Sequence, residues 1–274
     1  MRNIENKRKR WLLFFGFLVC TLLIIAIFAR VLCPYDPYKQ NYAIALQPPC
    51  LAHPLGTDRF GRDLLSRILI GSQNSIFSAL MLVGIIAIGG TAIGMVCGYF
   101  GGIFDMILMR ISDVCLAFPG IVFALAVAAV LNGGMVAVMI SLAAIHWPRY
   151  ARIARSQTLS IKQEEYIAAA RLSGCRTTTI FLRHILPNIC SPILVTAMLD
   201  IGTMMMEIAA LSFLGVGVQP PVAEWGSMMS GGRSFLQLYP WVVLAPGGAI
   251  FLSVAIFNLF GEALRDYTNQ KNRG

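Results

Sequence analysis

Residues 76–99 read IFSALMLVGIIAIGGTAIGMVCGY, without one charged side chain. A helix of about 20 apolar residues, rising about 1.5 Å each, crosses a hydrocarbon layer of roughly 30 Å. The run therefore reads as a transmembrane helix. Working outward, further apolar runs lie at 11–32, 114–131, 135–151, 189–215 and 241–260, the fourth of the six being the weakest. Across the chain 57% of residues are apolar and 13% charged, and the mean hydropathy is +0.70. An ordinary soluble domain carries about 25% charged residues. The expected fold class is an all-α integral membrane protein with six transmembrane helices.

The net charge of +9 does not point to nucleic acid, because the basic residues gather at the ends of apolar runs without interleaved aromatics. With six spans and the N-terminus inside, sixteen Lys and Arg fall on the cytoplasmic side and six outside. That asymmetry predicts an N-in, C-in orientation. Arg59, Arg62 and Arg67 run against it from a long outer loop, 33–75. The basic segment from Arg2 to Arg10 and the run after it read as a retained first span with a cytoplasmic tail, not a cleaved signal. Seven cysteines are scattered without a CxxC pair or a Cys/His cluster. Cys33 and Cys50 share the outer loop, and a disulfide between them would contribute roughly 3 kcal/mol in the chain-entropy model.

A second polar loop, 152–188, faces the cytoplasm in this scheme. Ser160-Ile161-Lys162-Gln163 fits the S-x-x-Q capping box. Glu164 and Glu165 suit a first turn, Arg171 a last turn, and Gly174 a left-handed cap. A short helix is thus predicted over 161–173. Ala168, Ala169 and Ala170 strip its middle of bulk, which suits docking into a groove and equally suits plain helix propensity. Pro187 is expected to open the fifth span, where a missing N–H is harmless.

This segment, EYIAAARLSG at 165–174 followed by RHILPN at 183–188, resembles the EAA loop of ABC importer permeases. Ala168 stands where that family usually has an acid, and His184 where its general pattern has an aliphatic residue. The likeness extends to HPLGTDRFGRD at 53–63, GYFGG at 98–102, LSFLG at 211–215, EWGSM at 224–228 and NLFGEALRD at 258–266. Together these are similar to the C-type permease of the dipeptide, oligopeptide and nickel branch. The resemblance implies a type I ABC importer permease fold in a bacterial or archaeal inner membrane, with no catalytic residue and no cofactor. It implies a division into 1–72 (tail, first helix, outer loop), 73–262 (transmembrane domain) and 263–274 (tail). Glu165, Ala168, Ala169, Ala170, Gly174, Arg183 and Pro187 would couple to the ATPase. The implied partners are a B-type permease subunit, two ATP-binding subunits, an extracytoplasmic solute-binding protein and the lipid bilayer, with no nucleic acid. His146-Trp147, Leu199-Asp200-Ile201-Gly202 and Ala223-Glu224-Trp225-Gly226 lean toward nickel-type importers, leaving nickel, a chelate or a peptide as cargo. No P-loop occurs in the chain, so hydrolysis is expected on separate subunits.

Inside the membrane, Thr196, Asp200, Thr203 and Glu207 share one helical face of the fifth span. Intramembrane acids face a pathway or are bonded to neighbouring helices; the residues alone leave both open. Asp113 is expected to pair with Arg110 three residues before it. His146 is either a structural side chain or a metal way-station, and Met204, Met205 and Met206 read as packing. An intramembrane metalloprotease lacks its HExxH. The rival reading is a proton-coupled secondary transporter using Asp200 and Glu207 as a relay.

Overall fold

The computed structural model describes residues 2–271. Among them run eleven α-helices in the order α1 Arg2–Ile27, α2 Ala29–Leu32, α3 Leu64–Phe100, α4 Gly102–Ala117, α5 Gly120–Val130, α6 Met135–Ile161, α7 Glu165–Leu172, α8 Thr177–Thr179, α9 Leu186–Phe213, α10 Trp225–Gly232 and α11 Trp241–Lys271. A π-helical segment, Ile180–Ile185, joins α8 to α9. The only β pairing among the described residues is an isolated bridge between Thr57 and Asp63.

Among the described residues four helical stretches are long and apolar enough to cross a membrane: Lys7–Ile27, Leu64–Phe100, Thr177–Phe213 and Trp241–Thr268. The expected third span is not one straight helix. It breaks at Phe118 and Pro119, where Pro119 is the extended residue ahead of α5, and α4 and α5 bend by 98°. Counted as one broken span, that pair brings the number to five by length and composition, against the six expected. The fourth expected run lies in α6, whose apolar start gives way to His146, Arg149, Arg152 and Arg155.

The core is built where α3 lies along α6, with α9 and α11 packed beside them. Close approach of α3 and α6 rests on Gly90, Gly94 and Gly98, one per helical turn. A Cβ on Gly90 would stand 2.6 Å from the Trp147 carbonyl oxygen, and one on Gly98 would stand 2.8 Å from that of Arg155. Buried Ala151, Ala154 and Thr158 form the other side of the contact. Two ion pairs brace α4 against the same helix: Arg155 with Asp105, and Arg152 with Asp113. The predicted Arg110–Asp113 pair is present at 3.8 Å.

The outer loop is held by its own buried charges. Asp58 accepts hydrogen bonds from the backbone N–H of Phe60 and Arg62 and from the Arg62 guanidinium. Arg67 approaches the same carboxylate at 3.7 Å. Asp63 caps α3 through the Ser66 N–H and also bonds the His53 ring. The proposed Cys33–Cys50 disulfide is absent: both are free thiols. Cys33 donates to the Ser66 carbonyl and Cys50 accepts from the His53 N–H.

Candidate functional site

The 152–188 loop corrects the predicted capping box. Residues 151–161 contain no breaker, and Ala154 and Thr158 are buried against α3, so α6 continues through Ser160 to Ile161. Ser160 is therefore an interior residue whose carbonyl receives the N–H of Lys162 and Gln163. A short turn follows, and α7 begins at Glu165 with Glu164 as an extended cap that makes no side-chain bond. The other end is as the residues suggest. Gly174 has φ +76°, its N–H bonds the Arg171 carbonyl, and the Cys175 N–H bonds that of Ala170. This is the Schellman arrangement, which needs a left-handed residue at the glycine position.

One residue pins α7 down. Ile167 is fully buried, whereas Glu165, Ala168 and Ala169 are exposed, Ala170 is half-buried and Leu172 is 91% exposed. The RHILPN segment folds back onto the helix. Asn188 Nδ2 donates to the His184 carbonyl at 2.6 Å and to the Tyr166 hydroxyl at 3.3 Å. Arg183 and Pro187 are exposed beside it. Pro187 stands in the first turn of α9, as the sequence predicts; the π-helical turn runs directly into it, with the Leu186 N–H reaching the Phe181 carbonyl five residues back. Proline has no N–H to return to a regular ladder there.

The polar stripe of α9 is also resolved. Asp200 is buried and accepts hydrogen bonds from the Arg149 guanidinium and, at 2.8 Å, from the Tyr150 hydroxyl. Glu207 bonds the His146 ring at 2.7 Å. Thr196 donates to the Pro192 carbonyl, and Thr203 is exposed. Both acids are thus tied to α6, and Arg149, counted among the cytoplasmic charges, belongs to this helix–helix contact. Among the described residues no group of three or more His, Cys, Asp or Glu is placed to hold a metal ion; the partner His146 has there is Glu207.

Glu224 enters the sequence reading only as a letter of the EWGSM and AEWG motifs, with no role given to it. It is buried, caps α10 through the N–H groups of Gly226 and Ser227, and accepts from the Ser75 hydroxyl of α3. Burial pushes its carboxyl above the ordinary glutamate range, against the pull of those donors. The signal was available: an acid directly before a Trp-Gly-Ser helix start is a cap.

A membrane bundle carrying an exposed short helix on a polar loop matches known proteins closely in sequence. Residues 90–274 match the family described as binding-protein-dependent transport system inner membrane component. The chain belongs to this family. Residues 7–49 match the N-terminal TM domain of oligopeptide transport permease C. The dipeptide transport system permease protein DppC of Alkalihalophilus pseudofirmus is 41% identical over 268 residues, 97% of this chain and 88% of that protein. The glutathione transport system permease protein GsiD of Escherichia coli is 43% identical over 257 residues, 93% of this chain and 85% of that one. The permease is accordingly an inner-membrane, multi-pass ABC importer subunit of the peptide branch, and not itself an enzyme. Neither relative's name supports the lean toward nickel.

Proposed function

We propose that this permease forms half of an import path for short peptides, and that α7 docks into an ATP-binding subunit on the cytoplasmic side. The observation that carries the docking is the shape of α7: one buried anchor, Ile167, under an exposed face of Ala168, Ala169 and Leu172. Such a face can approach a groove closely, and a protruding Leu172 supplies apolar area to bury there. Glu165, Ala170, Gly174, Arg183 and Pro187 shape or flank that face. The cargo class follows the relatives, whose names specify dipeptide and glutathione. A B-type permease subunit, two ATP-binding subunits and an extracytoplasmic binding protein complete the machine. Six crossings, the N-in, C-in orientation and the division at 72/73 and 262/263 belong to the same proposal. Thr203 and Glu207 line the path from the open side of α9, with Thr196 and Asp200 behind them. A proton relay through Asp200 and Glu207 is disfavoured, since the family and the relatives are components of binding-protein-dependent transport systems.

The test uses the complex of the permease with its partners in liposomes, measuring ATP hydrolysis and peptide uptake together. Ala169→Arg places bulk and a poorly paired charge in the docked face, costing several kcal/mol. Gly174→Val strains a left-handed position by about 1 kcal/mol or more, although the space around it is open. Both variants are expected to insert normally and then lose ATP-binding subunits on purification or hydrolyse ATP without uptake. Wild-type values of both quantities in both variants would remove α7 from the coupling role.

A further inference from the structure

Tyr99 is the next-to-last residue of α3, and three parts of the cytoplasmic loop converge on it. Lys162, at the end of α6, donates to the Tyr99 carbonyl and lies 5.6 Å from the ring centre. Arg171, in the last turn of α7, sets its guanidinium 4.8 Å over the same ring. Phe181, in the π-helical segment, meets the ring edge-on at 5.0 Å. The carbonyl is one of the last four of its helix, which lack intrahelical donors, and an aromatic face attracts cations. Directly beyond, Gly101 and Gly102 have φ of +67° and +72°, and nothing lies within 4 Å of where either Cβ would stand. Glycine is required there by backbone conformation alone, and the two positions open onto free space.

We infer that Tyr99 is the positioning residue through which movement of α7 reaches α3 and the Gly101–Gly102 joint. This rests on α7 being the docking helix. The chain itself connects α7 only to α6 and, through α8 and the π-helical segment, to α9. The clamp on Tyr99 adds α3, the span packed along α6, to the elements that the loop drives. The ring carries the grip: the hydroxyl of Tyr99 makes no hydrogen bond among the described residues, and its backbone carbonyl would survive any substitution.

The experiment compares Tyr99→Ala, Tyr99→Phe, Arg171→Gln and Ala169→Arg in the full complex in liposomes, reading ATP hydrolysed and peptide imported. Tyr99→Ala is expected to assemble and hydrolyse ATP, with peptide per ATP falling about five-fold, the scale of a lost partly exposed cation–π contact. Arg171→Gln, on an exposed helix that folds without it, should show the same drop. Tyr99→Phe should match the wild type. Wild-type peptide per ATP in both Tyr99→Ala and Arg171→Gln overturns the inference, as does Tyr99→Phe failing like Tyr99→Ala. Ala169→Arg separates the two readings. If it leaves both quantities intact the docking role of α7 falls, and if it disrupts them while Tyr99→Ala does not, only the clamp falls.

Discussion

Asp200 and Glu207 sit two helical turns apart on α9, and His146 and Arg149 sit one turn apart on α6. The two pairs meet as hydrogen-bonded rungs between α6 and α9, so each of the four polar side chains has a partner among apolar helices. From the sequence, the acids were visible and their partners were not, because Arg149 reads equally well as the start of the cytoplasmic loop. Contact across helices, unlike contact within one, leaves no local spacing to recognise. Asp200 is the more committed acid, with its side chain 7% exposed and Arg149 54% exposed. Asp200→Ala leaves the Tyr150 hydroxyl and a guanidinium without their acceptor. Breaking a buried pair costs roughly 3–5 kcal/mol, and the open side of Arg149 lowers this to on the order of 2 kcal/mol. The thermal midpoint of the purified complex should fall for Asp200→Ala and recover in part with Arg149→Gln added. An unchanged midpoint with lost uptake would instead make Asp200 a pathway residue.

At the scale of elements, four of the six apolar runs fall in helices long and apolar enough to cross a membrane among the described residues, and hydropathy missed where the chain is interrupted. An averaging window slides over Pro119, yet that residue ends α4 and lets α5 turn away. The capping box at Ser160 was a real local signal that the fold does not use: with no breaker to stop it, α6 runs on through Ser160 to Ile161. The glycine ladder Gly90, Gly94, Gly98 was legible as small residues every fourth position, but hydropathy treats glycine as nearly neutral. A methyl group on Gly94 would stand 2.8 Å from the Ala154 Cβ, whereas one on Gly89 would meet nothing within 4 Å. Gly94→Ala should destabilise the complex by about 1–3 kcal/mol through overpacking, while Gly89→Ala should be neutral or gain up to about 1 kcal/mol in helix propensity. Thermal unfolding of the two variants in one detergent decides it; equal midpoints would mean that α3 and α6 are not in tight contact.

For the whole molecule, orientation turns on which basic residues are free to feel the membrane. The outer cluster that ran against the charge rule is partly offset in the fold by one carboxylate, Asp58. Arg62 and Arg67 are buried against Asp58, leaving Arg59 as the free member. On the other side Arg152 and Arg155 are paired with Asp113 and Asp105. In the proposed orientation the N-terminal basic run and the loop around α7 carry the charge bias toward the cytoplasmic face. Leu51 is fully exposed at the tip of the outer loop, and Thr178 is exposed just beyond α7, so the two report opposite faces. In a background lacking all seven cysteines, Leu51→Cys should react with an impermeant maleimide in intact cells or spheroplasts, and Thr178→Cys only after the membrane is opened. Reaction of Thr178→Cys from outside would invert the topology and place α7 where no ATP-binding subunit could reach it.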